Sequence, residues 1–287
     1  MDLGKKRQRL KDILKENKAF TETELKRIPR SFDIIGEIII IQIPHELKKK
    51  EKIIAESLLK QHNNIKTIYA KGKFYGRLRK PKLRWIAGKK TSETVYKEAG
   101  CLFKMDVKTC FFSPRLSTDR LEIANICKKG ENVLVMFSGV APYGIVIAKN
   151  SCVKRVVCVE LSKEASEYAK ENVKLNRLIN VEIIQGDVKR ICPLLKKKKD
   201  LFDRIIMGRP QLKDTFLKEA FMVVKKGTIV HFQDFINEQD FVKGVHIKRV
   251  MDAAKKAKRK VEIHGTKIIR ELAPYKHHVR VDFKVLS

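Results

Sequence analysis

The sequence of 287 residues lacks any run of about 18 uncharged apolar residues, the length that a helix needs to cross a membrane. Its longest apolar stretch, IIGEIIIIQIP, is short and is interrupted by Glu37. No apolar signal-peptide core follows the N-terminal MDLGKKRQRLKD. We therefore expect a monomer in the cytoplasm that does not engage a membrane.

Metal-binding patterns are also missing. The six cysteines show no CxxC spacing, and none has a histidine at the distance typical of a zinc site. Cys152 and Cys158 flank an apolar stretch, so we expect thiols there that are buried and reduced. The sequence therefore predicts no metal centre.

Acidic residues are scarce: 33 Asp and Glu stand against 64 Lys and Arg, which gives a formal net charge of +31. A field of this sign favours polyanionic partners. The same excess is also expected where lysines only solvate helix faces, so composition alone leaves a nucleic-acid partner open.

One window concentrates the positive charge. Residues 66–90 contain ten Lys and Arg and no acid, interleaved with aromatics such as Phe74, Tyr75 and Trp85. Lys and Arg release counterions from phosphates, and aromatic rings stack on unpaired bases. We interpret the window as an RNA contact. The alternative is a solvated hairpin whose aromatic side chains face the core.

Hydrophobic patterns divide the chain into three parts: a helical extension over 1–30, a small α+β unit over 31–112, and an α/β unit over 113–287. In the last part strands and helices alternate at βαβ lengths, which predicts a parallel sheet with helices on both faces. The final strand, HHVRVDFKVL, alternates in polarity, which predicts an antiparallel partner and one exposed face.

Three predicted strand ends carry residues suited to a nucleoside. The turn FSGVAP contains Gly139, which lets a backbone approach a ligand, and Glu160 follows 21 residues later at the end of the next strand. Asp187 ends the third strand. A cofactor-free domain of this fold would show similar strands. The phosphate-binding GxGxxG pattern is missing, which favours S-adenosylmethionine over a dinucleotide.

Five separate stretches resemble, in order and spacing, the archaeal and eukaryotic tRNA (guanine-37-N1)-methyltransferases and their relatives in wyosine synthesis. These stretches are IPRSFDIIGEIIIIQIP, SETVYKEAGCLFKMDV, FFSPRLSTDR, VLVMFSGVAP and FDRIIMGRP. The resemblance begins at about Ile28. Longer members of the family carry a further N-terminal domain, which we expect to be missing here.

The resemblance implies a class I, Rossmann-like, S-adenosylmethionine-dependent methyltransferase domain, preceded by a small α+β RNA-binding domain. The substrate would be the anticodon stem-loop of tRNA, methylated at N1 of guanosine 37. Because N1 of guanine bears a proton, a base must remove it, and an arginine can stabilise the charge that develops toward O6. The resemblance places the base at Asp119, beside Arg115, with Arg77 and Arg79 as further candidates for the electrostatic role.

The resemblance also implies binding residues. For the cofactor they are Phe137, Gly139, Val140, Glu160, Leu161, Asp187 and Val188. For the substrate they are Arg120, Gly208, Arg209, Pro210, Lys73, Tyr75 and Lys80.

Two alternatives stay open at this point. The family's Asn-Leu-Pro segment, which holds the target base, is replaced by Gly208-Arg209-Pro210, which favours a wyosine-pathway transferase that moves a methyl or an aminocarboxypropyl group. Val135 replaces an acid of the family near the end of the first strand, and Ala141 replaces a glycine of the loop that follows. Both replacements favour an RNA-binding relative without catalysis. The acids at 119, 160 and 187 oppose that second alternative.

Overall fold

The computed structural model describes residues 10–16, 19–75, 80–208 and 214–287, and the side chains at 73–75 and 80–81 lie outside that description. The chain forms two compact units. One contains the residues up to Lys97 with Lys104–Pro114, and the other contains Glu98–Phe103 with Arg115–Ser287. The predicted boundary after residue 112 stays a prediction, and the division by contacts falls two residues later. No helix within the described residues has the length and apolarity of a membrane span.

The first unit contains a four-stranded sheet and three helices among its described residues. The elements are α1 (Leu10–Lys15), α2 (Glu22–Lys26), β1 (Asp33–Ile35), β2 (Ile38–Ile41), α3 (Glu51–Gln61), β3 (Thr67–Tyr75) and β4 (Lys80–Gly88). The strand order is β1-β2-β3-β4. Strands β2 and β3 are parallel, because α3 connects them, and the other pairs are antiparallel.

The N-terminal helices pack into the core of this unit. Leu14 and Leu25 are buried in one cluster with Ile39, Ile54 and Leu58. From residue 10 onward, the helical extension predicted over 1–30 therefore shares its core with the sheet that follows. The boundary predicted at residue 30 stays a prediction.

The isoleucine-rich stretch DIIGEIIIIQI forms two strands, because the chain turns back at Gly36. Gly36 has a φ of +56°, and a Cβ there would lie 2.3 Å from the Thr94 hydroxyl and from the Val95 carbonyl oxygen. Only glycine meets both conditions without strain. The residues on either side of the turn become β1 and β2.

A two-stranded sheet follows, formed by β5 (Glu93–Glu98) and β6 (Cys101–Asp106). Strand β5 contains mostly polar residues, yet Thr94 and Glu98 are buried at 6% and 8% exposure. These inward-facing residues make hydrogen bonds instead of apolar contacts, so the sequence lacks the apolar pattern of a buried strand.

The second unit has a seven-stranded sheet within its described residues. Its remaining elements are α4 (Ser117–Ile126), β7 (Asn132–Met136), α5 (Pro142–Asn150), β8 (Arg155–Glu160), α6 (Lys163–Leu175), β9 (Val181–Gln185), α7 (Val188–Lys197), β10 (Phe202–Met207), α8 (Leu217–Ala220), β11 (Val224–Asn237), α9 (Glu238–Val242), α10 (Val245–Lys256), β12 (Val261–Ala273) and β13 (Lys276–Val285). Helix α8 is short, and β11 begins at Val224 soon after it. The Ser162 hydroxyl caps α6, since it accepts from the Ala165 N–H.

The sheet order is β12-β13-β11-β10-β7-β8-β9. The five strands from β11 to β9 run parallel, and β13 pairs antiparallel with both β11 and β12. The predicted parallel α/β sheet is thereby confirmed. The strand order reverses beside β7, which has β10 on one side and β8 on the other. In sheets of this type ligands bind at the carboxyl ends of the strands where the order reverses.

The exposed face predicted for the final strand is wrong. Strand β13 lies between two other strands, and its polar residues His278 and Arg280 are only 1% and 2% exposed. The alternation of the sequence is real, but the polar face is covered by protein, because it contacts a buried carboxylate from α4.

Candidate active site

The loop after β7 is a strained, tight turn. Phe137, Gly139 and Ala141 have φ angles of 61°, 57° and 65°. Left-handed conformations of non-glycine residues cost on the order of 1–3 kcal/mol and cluster at ligand sites. The Ala141 N–H donates to the Ser138 carbonyl at 2.9 Å, and α5 begins at Pro142, a residue suited to the first helical position.

Glu160, at the end of β8, is oriented by this loop. The Gly139 N–H donates to Oε2 and the Ser162 N–H donates to Oε1, each at 2.8 Å. Each carboxylate oxygen keeps acceptor capacity for a further donor. The structure thus brings the predicted pair Gly139 and Glu160 together in a geometry that suits the hydroxyls of a ribose.

Asp187 lies at the end of the next strand along the sheet. Its carboxylate accepts from the Lys189 N–H at 3.0 Å and caps α7. The Gly186 N–H donates to the Glu160 carbonyl at 2.7 Å, which holds the ends of β8 and β9 side by side. Glu160 and Asp187 are therefore at the same edge of the sheet, as the sequence predicted.

The other predicted cofactor residues contribute differently. Val140 and Val188 are buried, at 0% and 3% exposure, and their contact with a cofactor stays a prediction. The Leu161 carbonyl already accepts from the Gln185 amide at 3.2 Å.

Phe137, a predicted cofactor residue, contacts an aromatic partner that the sequence reasoning missed. Phe137 and Phe216 meet edge to face, with ring centroids 5.0 Å apart. The Lys189 ammonium lies 5.1 Å from the centroid of Phe216 and pairs with Asp214 at 2.7 Å. No sequence pattern marks Phe216, because its contact with Phe137 depends on tertiary packing.

Asp119, the predicted proton acceptor, lies in the first turn of α4 and is 3% exposed. Its Oδ2 accepts from the Tyr143 hydroxyl at 2.6 Å and from Gln233 Nε2 at 3.0 Å. Its Oδ1 accepts from the Arg280 guanidinium. The sequence reasoning missed all three donors, because they come from α5, β11 and β13.

Arg280 connects Asp119 to a wider buried network. Its guanidinium also donates to Glu122 at 2.8 Å and to Asp282 at 2.9 Å. Burial opposes the charge of Arg280, but the hydrogen bond to Asp282 and the charges of Asp119 and Asp282 prevail and raise its pKa. Burial likewise opposes the charge of Asp282, but its contacts with His231 and Arg280 prevail and lower its pKa.

His231 is held in one tautomer by this network. Its Nε2 lies 2.7 Å from Arg204, whose guanidinium can only donate, so Nε2 accepts. Its Nδ1 carries the proton and donates to Asp282 at 2.7 Å. Burial lowers the pKa of His231 below 6.5, although Asp282 acts in the opposite direction.

The lowered pKa predicts a loss of stability in acid. Below about pH 6.5 the unfolded chain binds a proton that folded His231 does not, so the free energy of unfolding falls by up to about 1.4 kcal/mol per pH unit from this residue. We expect His231→Gln to reduce the slope of stability against pH. Urea unfolding at about pH 7.5 and about pH 5.5 measures the slope, and equal slopes in the two proteins would contradict the assignment.

Arg120, which was predicted to bind substrate, is 1% exposed. Its guanidinium donates twice to Glu98, at 2.5 and 2.6 Å, and lies 5.8 Å from the centroid of the Tyr143 ring. This enclosed ion pair fixes α4 in place, and a contact of Arg120 with substrate stays a prediction. Arg115 is exposed in the short turn Pro114–Leu116 before α4, and its role also stays a prediction.

Several predicted residues lie beyond what the structure describes. Arg77, Arg79, Arg209 and Pro210 are outside the described residues, and Lys73, Tyr75 and Lys80 lie in β3 and β4 with undescribed side chains. Gly208 directly follows β10. A Cβ on Gly208 would lie 3.3 Å from Cε2 of Tyr143, which places this residue beside the Asp119 network.

The basic window of the first unit is partly neutralised. Arg84 pairs with both carboxylate oxygens of Glu51 at 2.5 Å, and Lys66 pairs with Glu37 at 2.5 Å. Trp85 is 38% exposed and is available for stacking. Among the described residues, no cluster of His, Cys, Asp and Glu is arranged to hold a metal ion.

Comparisons with known proteins agree on one family. The model described as the TRM5/TYW2 methyltransferase domain matches residues 94–264, and the one described as the TYW2 N-terminal domain matches residues 10–91. The chain is 39% identical over 264 residues to tRNA (guanine(37)-N(1))-methyltransferase Trm5b of Pyrococcus abyssi, covering 91% of this chain and 77% of that protein. The crystal structure of that Trm5b aligns with a TM-score of 0.82 at 37% identity, over 94% of this chain and 79% of that chain.

Two further proteins are similar over most of the chain. The tRNA (guanine(37)-N(1))/4-demethylwyosine(37)-methyltransferase Taw22 of Nanoarchaeum equitans is 33% identical over 306 residues, covering 89% of this chain and all of that protein. A solved complex of aTrm5 and tRNALeu aligns with a TM-score of 0.81 at 26% identity, over 99% of this chain and 81% of that chain.

Proposed function

The chain belongs to the TRM5/TYW2 methyltransferase family, and from this premise we propose that it transfers the methyl group of S-adenosylmethionine to N1 of guanosine 37 in tRNA. The partner is tRNA, which a solved complex of aTrm5 with tRNALeu supports, and we propose that the part bound is the anticodon stem-loop. We place the reaction in the cytoplasm and in a monomer.

One observation carries the proposal: the Glu160 carboxylate is held by the backbone amides of Gly139 and Ser162. This carboxylate lies at the carboxyl edge of the sheet, where the strand order reverses beside β7. An acid fixed at this position accepts hydrogen bonds from a ribose and needs no pyrophosphate cradle.

The residues present fit S-adenosylmethionine. The Ser138 hydroxyl, in the same loop, is buried and has no hydrogen-bond partner among the described residues. Buried hydroxyls are almost always satisfied, so this oxygen fits a site that a polar ligand completes. Glu160 would hold the ribose, Asp187 the adenine amino group, and the backbone at Gly139 the remainder. When bound, the cofactor supplies an electrophilic methyl group on its sulfonium sulfur.

Asp119 would take the proton that N1 of guanine must lose. A carboxylate oxygen accepts two hydrogen bonds, and Oδ1 receives one from Arg280, so a second acceptor position is left for the N1 proton. As the bond from N1 to the methyl carbon forms, the N1–H bond breaks and the proton passes to Asp119. Arg115, Arg77 and Arg79 are proposed to stabilise the charge that develops on O6.

Nucleoside mass spectrometry tests the proposal. We expect an unmodified tRNA transcript with guanosine 37 to gain 1-methylguanosine in the presence of S-adenosylmethionine, and a matched transcript with adenosine 37 to gain nothing. If the guanosine transcript stays unmethylated while tRNA carrying 4-demethylwyosine is methylated, the target atom is different from the one proposed.

The second candidate is that wyosine-pathway reaction. It is favoured by Gly208 at the end of β10, where the family's base-holding segment begins with asparagine, and by the dual activity named for the Nanoarchaeum equitans relative. A product heavier by an aminocarboxypropyl group would identify the other transferase. A relative without catalysis is excluded if calorimetry detects S-adenosylmethionine binding and the nucleoside assay detects turnover.

A further inference from the structure

Tyr143 lies at the start of α5 in the second unit. It is the second residue of α5, directly after the strained loop Phe137–Ala141 that carries Gly139. Because Pro142 starts the helix immediately after this loop, the Tyr143 side chain is directed inward, and the residue is 6% exposed. Tyr143 is not among the predicted catalytic or binding residues.

The Tyr143 hydroxyl is one corner of a closed triangle of hydrogen bonds. It donates to Asp119 Oδ2 at 2.6 Å and accepts from Gln233 Nε2 at 2.6 Å, while the same Nε2 lies 3.0 Å from Oδ2. The orientation of the Gln233 amide is fixed, because its Oε1 accepts from His278 Nε2 at 3.1 Å. Oδ2 of Asp119 is thus held by two donors that also bind each other.

The ring of Tyr143 has a separate set of contacts. A Cβ on Gly208 would be 3.3 Å from Cε2, so the backbone after β10 passes close to the ring edge. The Arg120 guanidinium, fixed by Glu98, lies 5.8 Å from the ring centroid. The ring therefore supports the beginning of the segment that is proposed to hold the target base.

The hydroxyl stays a donor across the working pH range. Burial, followed by the negative charge of Asp119, raises the pKa of Tyr143 well above 10. The hydroxyl therefore acts on the carboxylate as a neutral hydrogen-bond donor.

We propose that Tyr143 is a positioning residue for methyl transfer: its hydroxyl aims the Asp119 carboxylate, and its ring fixes the backbone at Gly208. This inference rests on the proposed function, because it assumes that Asp119 accepts the proton. Oδ2 is held by Tyr143 and Gln233, whereas Oδ1 accepts one hydrogen bond, from Arg280, so the triangle determines which oxygen has acceptor capacity left for the reacting base. A free carboxylate would rotate about its terminal torsion, which is broad.

The test is Tyr143→Phe, which removes the hydroxyl and keeps the ring. Loss of a hydrogen bond to a charged group predicts a fall in the single-turnover methylation rate of about 10- to 100-fold. The dissociation constants for tRNA and for S-adenosylmethionine should be unchanged, because the ring and the loop stay in place. The matched control is Tyr275→Phe, which removes an exposed hydroxyl in the same unit and should keep the wild-type rate.

Each outcome supports or overturns the positioning role of Tyr143. An unchanged rate in Tyr143→Phe, or a fall matched by equal losses of tRNA and cofactor binding, overturns the positioning role. If Tyr143→Phe does not fold, Gln233→Met takes its place, since it removes the second donor to Oδ2, and an unchanged rate there overturns the inference. The wild type is measured first. If it leaves guanosine-37 tRNA unmethylated, the proposed function fails, and that result is distinct from a failure of the variant alone.

Discussion

Replacing Asp119 by alanine is expected to lower the turnover number about 10²- to 10⁴-fold, the range that a positioned proton acceptor contributes. The dissociation constant for tRNA should stay unchanged, because Asp119 is 3% exposed and contributes at most a small part of the surface that tRNA contacts. Single-turnover methylation with saturating enzyme measures the rate, and filter binding measures the tRNA affinity. A parallel loss of rate and affinity would show that Asp119 has a structural role only.

Glu122→Ala provides the matched control for this variant. Glu122 lies one helical turn after Asp119 in α4, and it also accepts a hydrogen bond from Arg280, at 2.8 Å. Both variants therefore remove one carboxylate partner from the same guanidinium. Only Asp119 contacts Tyr143 and Gln233 as well. We expect Glu122→Ala to keep its turnover, and an equal loss in both variants would mean that the disturbance of Arg280 causes the defect.

The placement of three proposed cofactor residues at one edge of the sheet could be predicted from the sequence, because each lies at the end of a strand. Gly139, Glu160 and Asp187 each follow an apolar run, and parallel strands bring their carboxyl ends to one edge of a sheet. The structure adds what spacing cannot contain: the Gly139 N–H donates directly to the Glu160 carboxylate. The small residue and the acid thus act as one unit.

The partners of Asp119 could not be predicted, because they depend on tertiary packing. Tyr143, Gln233 and Arg280 are 24, 114 and 161 residues away from Asp119 along the chain. The polar residues of β13 also have the alternation typical of a solvent-exposed face. That pattern is the same whether water or a buried carboxylate satisfies the polar side chains, so burial and function remain hidden until the fold is known.

Arg280 should matter more for stability than any exposed ion pair in this chain. It is 2% exposed and lies among the carboxylates of Asp119, Glu122 and Asp282. Removing one partner of a buried ion pair leaves an uncompensated charge in a poorly solvated place. Here the loss of one cation would leave three neighbouring acids, of which Asp119 is deeply enclosed, to repel one another.

We therefore expect Arg280→Met, which keeps most of the side-chain volume, to lower the free energy of unfolding by about 3–5 kcal/mol. The control is Arg155→Met. Arg155 also contacts two acids, Glu182 and Asp200, but its side chain is 35% exposed, so its loss should cost about 0–1 kcal/mol. Urea unfolding at neutral pH compares the two variants. Equal losses in the free energy of unfolding would mean that the acids around Arg280 are protonated or are solvated by water. The cluster would then not hold Asp119 as a charged acceptor.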